Sequence, residues 1–144
     1  MCIRDRGRGV GYLQTHQPDH PVMKALIACD REAFYDSEID LRERTLYPPF
    51  GRLASLIISA GDRPSAEGLG RRLVALAPRD ERVVVLGPAE APLAVIKGRY
   101  RFRILVKSAR GFDLSDYLRN WLAVCPKPTG NQKLEVDVDP QSFL

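Results

Sequence analysis

Residues 97–107 read Lys97-Gly98-Arg99-Tyr100-Arg101-Phe102-Arg103-Ile104-Leu105-Val106-Lys107, and their alternation decides the fold. In a strand, successive side chains point to opposite faces. Arg99, Arg101, Arg103 and Lys107 therefore share one face, while Tyr100, Phe102, Ile104 and Val106 share the other. Such a strand belongs to a sheet with one face in the core and one in water. Gly98 sets a turn ahead of it, so residues 93–97 and 99–107 are expected to form two strands of a hairpin.

Working outward, residues 82–86 form a β-branched strand that should end at Gly87-Pro88. Residues 64–76 read as an amphipathic helix with Ala66, Leu69, Leu73 and Leu76 on one face, broken by Pro78. Residues 53–59 read as a strand. Downstream, residues 113–124 read as a helix with Asp113 as its cap and a stripe of Leu114, Tyr117, Leu118, Trp121 and Leu122. Residues 133–138 form a closing strand, stopped by Pro140. The order is strand, helix, strand, strand, strand, helix, strand. If residues 93–97 only extend a hairpin or belong to a long connection, it reduces to the ferredoxin-like split βαβ plait, an α+β fold.

Ahead of this pattern stands Tyr47-Pro48-Pro49-Phe50, where two prolines fix extended backbone and mark a hinge. Before the hinge, residues 10–15 read as a short strand. A helix is expected to begin with Asp19 as its cap and Pro21 in its first turn, with Val22, Leu26 and Ile27 on one face. A second helix runs from Asp30 toward Arg44, with Phe34, Ile39 and Leu41 as its apolar points. Residues 1–8 fit no continuing pattern and read as a non-native leader on a truncated start.

Composition narrows the class. The 144 residues suffice for about one domain, and 44% hydrophobic with 28% charged residues is globular rather than disordered. No apolar run approaches the roughly 18 to 20 residues that span a bilayer. The start lacks the apolar stretch of a secretory signal. Cys2, Cys29 and Cys125 are an odd count with no C-x-x-C pair, which excludes a disulfide framework and a four-thiolate zinc site. A cytoplasmic protein with no membrane partner is expected.

The charge is concentrated. Lys97, Arg99, Arg101, Arg103, Lys107 and Arg110 put six positive charges into residues 97–110 without one acid, against a net +4 for the whole chain. Residues two apart on a strand lie roughly 6.6–6.8 Å apart, close to the phosphate repeat of an extended single strand. Arginine adds a planar fork for phosphate oxygens. Simple solvation of a wet face is the rival reading, but a solvated face normally mixes signs, and no acid occurs between Ala91 and Gly111. Tyr100 and Phe102 point away from the arginines, so base stacking on that surface is not expected. Lys97, Arg99, Arg101, Arg103 and Lys107 are thus expected to hold a nucleic-acid backbone without regard to sequence.

Other signals are weaker. His16, His20 and Cys29 invite a metal, but Gln17-Pro18-Asp19 breaks the helix that their spacing needs. Gly7, Gly9 and Gly11 lack the lysine and hydroxyl of a phosphate-cradling loop. Asp137 and Asp139 share a strand face and offer a cation two carboxylates, though ending the strand is the plainer role. Cys125 has no histidine nearby to activate it. No catalytic arrangement is expected.

With these residues in view, the chain resembles the C-terminal end of the PriA family of bacterial replication-restart DNA helicases. The resemblance rests on Gln14-Thr15-His16 followed by Pro18-Asp19-His20-Pro21, on Tyr47-Pro48-Pro49, and on Leu86-Gly87-Pro88-Ala89-Glu90-Ala91-Pro92. Gly98-Arg99-Tyr100-Arg101-Phe102-Arg103 and the closing Asp137-Val138-Asp139-Pro140-Gln141-Ser142-Phe143-Leu144 complete it. It implies a small domain similar to a ribosomal small-subunit protein, which helps bind single-stranded or branched DNA at stalled forks. It also implies contact with other primosome proteins and a share of the site for the acidic tail of single-stranded DNA-binding protein. Arg110, just before the last helix, is the nearest match to that site's arginine. The family's ATP-dependent 3′–5′ helicase chemistry, with its ATP, magnesium and zinc, belongs to motifs absent from this sequence. The resemblance therefore implies no cofactor here and no ATPase activity of the fragment alone. Residues 1–45 are expected to end the second helicase lobe and connect onward, 46–50 to be the hinge, and 51–144 to be the DNA-binding domain. The rival functions are a docking module for that acidic tail and a ribosomal-type RNA-binding role.

Overall fold

The computed structural model describes residues 11–141, which divide into two compact units between Asp40 and Leu41. In the first unit, residues 11–15 are not a strand; Val10 and the leader at 1–8 lie outside the described residues. A strand must pair its backbone groups, and no second strand is present among this unit's described residues. Helix α1 (Pro21–Ile27) is capped by His20, not by Asp19. Pro21 at the first helical position pushes the residue before it into extended geometry, and the His20 Nδ1 accepts from the Val22 amide at 3.3 Å. Asp19 instead pairs with Lys24 at 3.1 Å. Helix α2 (Arg31–Arg44) follows, with the Asp30 carboxylate accepting from the Ala33 amide at 3.0 Å. Neither helix has a core of its own: Ala25 is the one buried residue of α1, and α2 has none.

The second unit carries strand β1 (Gly51–Ala60), helix α3 (Arg63–Ala75), strands β2 (Val83–Ile96) and β3 (Arg99–Ala109), helix α4 (Leu114–Val124) and strand β4 (Lys133–Val138). The strands form one antiparallel sheet in the order β2-β3-β1-β4, which is the split βαβ plait. Residues 93–97 are not a separate strand. β2 runs on through Gly87-Pro88 with register shifts between Leu86 and Ala89 and between Glu90 and Val95. Gly87 makes this passage possible: its φ is +110°, and a Cβ there would stand 2.7 Å from the Arg103 carbonyl oxygen.

Helices α3 and α4 cover one face of the sheet. Ala54, Leu56 and Ile58 of β1 and Phe102, Ile104 and Val106 of β3 meet Ala66, Leu69 and Leu73 of α3 and Leu114, Tyr117, Leu118 and Trp121 of α4. The Trp121 Nε1 donates to the Leu73 carbonyl at 3.0 Å, so its polar end is satisfied inside the core. Asp62 and Asp113 cap the two helices, accepting from the Ser65 and Asp116 amides at 2.8 and 2.9 Å. Leu76 of the expected apolar face is exposed, because α3 ends at Ala75 and Leu76 is its C-cap. Along β3, buried Phe102, Ile104 and Val106 alternate with half-buried Arg101, Arg103, Leu105 and Lys107. The basic residues thus lie on the face that neither helix covers.

Candidate nucleic-acid interface

β3 lies between β2 and β1, so pairing on both sides fixes the direction of its side chains. Register arranges the helix-free face in cross-strand rows. Ser59 stands between Arg101 and Lys133, Ile57 between Arg103 and Glu135, and Ser55 between Leu105 and Asp137. Leu53 faces Lys107.

The six predicted basic residues separate into three groups. Lys97, Arg99 and Arg101 line one groove of about 170 Å³ at the β2–β3 hairpin end, together with Ile57, Ser59, Ile96, Lys133 and Glu135. Lys97 is exposed in the turn with φ of +49°; Arg101 reaches only a long contact, 3.5 Å, to the Leu93 carbonyl. Arg99 is more tightly held. Its guanidinium donates to the Ser59 carbonyl at 3.0 Å, to the Ser59 hydroxyl at 3.2 Å and to the Asn131 carbonyl. Arg103 follows on the same face, half-buried and with contacts of its own.

Lys107 lies at the other end, where its ammonium donates to the Thr45 carbonyl at 3.0 Å and sits 5.1 Å from the centre of the Tyr47 ring. Arg110 is off the sheet, exposed in the turn before α4. The alternating pattern located the face correctly but counted Arg99 and Lys107 as equivalent to Arg101. Their partners are carbonyls and a ring far away in sequence.

Lys133 was missed. It opens β4, some thirty residues downstream, and reaches the groove because β4 pairs with β1 opposite β3. Four cations thus meet one carboxylate, Glu135, around the groove, and among the described residues no carboxylate engages Arg99 or Arg101. At the opposite end the signs are mixed: Lys107 and Arg52 stand with Asp137 and Asp139. Asp137 and Asp139 do not share a strand face: the strand ends at Val138, and Asp139 lies past it with φ of +53°. The Arg52 guanidinium donates to its carboxylate at 2.6 and 3.2 Å and holds that carboxyl below its ordinary range. His20 serves as a helix cap, and no group of three histidines, cysteines or acids able to hold a metal occurs among the described residues.

The family model for the "Primosomal protein N C-terminal domain" matches residues 43–141, which contain the whole plait. The chain belongs to the PriA family. It is 35% identical over 140 residues to the replication restart protein PriA of Rickettsia felis, covering 97% of this chain and 21% of that protein. Against the PriA of Synechocystis sp. the identity is 31% over 133 residues, 91% of this chain and 16% of the relative. With the PriA of Haemophilus influenzae it is 29% over 138 residues, 94% and 19%. The chain therefore spans about a fifth of the length of the PriA proteins it matches, and the plait is the PriA C-terminal domain.

Proposed function

We propose that this chain is the C-terminal part of a cytoplasmic replication-restart DNA helicase, and that its plait binds the backbone of single-stranded or forked DNA. The observation that carries this reading is the cationic, helix-free end of the sheet, supplied by a stretch with no acid between Ala91 and Gly111. Arginine forks and a lysine on an accessible face suit phosphate oxygens, and nothing there reads base edges. In this reading the chain needs no cofactor and hydrolyses no ATP; helicase chemistry belongs to the remaining four-fifths of its relatives' length.

A titration of fluorescent oligothymidine by anisotropy at several salt concentrations tests it. Arg101→Ala with Arg103→Ala should remove about two phosphate contacts and lower the salt slope by roughly 1.4. Unchanged affinity and slope would overturn the reading.

A second reading, docking of an acidic, apolar protein tail beside α4, is favoured by one observation. Arg110 is exposed next to Phe112, over whose ring the Arg82 guanidinium sits at 4.8 Å from the centre. A short acidic peptide should lose affinity on Arg110→Glu and keep it in the Arg101/Arg103 double variant. The opposite pattern would place peptide and DNA on one surface.

A further inference from the structure

The alternation of β3 suggests a phosphate track running the length of that strand. The register suggests otherwise. Beyond Arg103 the next residue on that face is Leu105, in a row with Ser55 and Asp137, so a backbone continuing along β3 would meet an apolar side chain in a row whose one charged member, two strands away, is a carboxylate. Lys107, beyond it, is already held by Thr45 and Tyr47. Across the strands the terrain is different. Arg101 and Lys133 flank Ser59, whose buried side chain is held by the Arg99 guanidinium, so the groove between them has a cationic floor. Two strand spacings separate the two backbones by about 10 Å, a gap that long cationic side chains close from both sides. Lys97 stands at the same end, and Arg99 is fixed beneath by its carbonyl contacts. The groove's volume of about 170 Å³ suits a phosphodiester with part of its sugar.

We propose that a single strand crosses β3, β1 and β4 at the hairpin end of the sheet, with one phosphodiester seated over Ser59 between Arg101 and Lys133. This rests on the DNA-binding reading above and assigns Lys133 to the site. It also gives Glu135 a role: it is the one carboxylate at the groove, so it limits affinity there.

The test compares single substitutions in the 144-residue chain, with oligothymidine anisotropy as the readout and circular dichroism as the check on folding. At about 50 mM salt, Lys133→Glu and Arg101→Glu should each weaken binding roughly tenfold, and Lys133→Gln should lower the salt slope by about 0.7. Lys133→Arg should retain affinity, which separates lost charge from a damaged strand. Glu135→Gln should tighten binding by about two- to threefold, and Lys107→Glu should change it less than twofold. If Arg101→Glu and Lys107→Glu both weaken binding while Lys133→Glu does not, the strand follows β3 and the crossing path is wrong. If none of these substitutions alters binding, the DNA-binding reading fails together with the path.

Discussion

Arg99 shows how a residue chosen for its charge comes to serve structure. A guanidinium offers five donors in a rigid fork, and here the fork closes on the Ser59 carbonyl and hydroxyl and on the Asn131 carbonyl. These acceptors belong to the end of β1 and the loop before β4, so one side chain at the start of β3 ties three segments together. Hydrogen bonds from a charged donor are worth about 1.5–3 kcal/mol when well placed, and partial exposure puts this set toward the lower part of that range. Arg99→Ala should therefore lower stability by about 1–2 kcal/mol, read as a shift in the urea midpoint. Arg99→Lys keeps the charge without the fork and should recover DNA affinity but little of the stability. An unshifted midpoint with a binding defect as large as that of Arg101→Ala would return Arg99 to the phosphate contacts.

At the scale of elements, β4 is fastened to β1 by ladder pairing and, past its end, by Arg52 and Asp139. The hydrogen bonds from Arg52 lower the Asp139 pKa. A depressed folded pKa contributes stability that is complete above the unfolded value of about 3.9 and is lost as pH falls through the folded one. Asp80 behaves alike: hydrogen bonds from Arg82 bring its pKa to about 2. Urea midpoints measured from neutral pH down to about 2 should fall more steeply in the parent chain than in Asp139→Asn, the two curves converging at the acid end. Parallel curves would mean that the pair adds nothing. What could be read in the sequence follows a similar division between local and distant causes. The Asp113 cap, the α4 stripe and the two faces of β3 depend on neighbours a few residues away, and the sequence displays them. β2 was cut short at Gly87-Pro88 because that dipeptide ordinarily stops a strand; its continuation depends on the close approach of the Arg103 carbonyl, sixteen residues on. The juxtaposition of Lys133 with Arg101 depends on registers set separately against β1, which no local pattern encodes. The face was legible, and the path across it was not.

For the molecule as a whole, the location of buried apolar surface decides which part is self-sufficient. Every member of the main hydrophobic cluster, and every half-buried residue packed against it, lies between Ala54 and Val138, and of the other buried apolar side chains among the described residues only Ala25 precedes Leu41. The plait thus contains the burial that offsets its chain entropy. The Lys107 contacts to Thr45 and Tyr47 also fall on its side of the division at Asp40. α1 has seven residues with one buried, α2 has none, and isolated helices of such length are marginal in water. A chain beginning at Leu41 should therefore unfold cooperatively, with a Tm within a few degrees of that of the 144-residue chain and with its oligothymidine affinity retained. In the longer chain, amide exchange should be fast throughout α1 and slow in β1 and β3, where pairing on both sides and helix cover protect the ladder. Protection of α1 equal to that of β3, or loss of cooperative unfolding on removing residues 1–40, would mean that the first unit supplies stability that its own burial does not reveal.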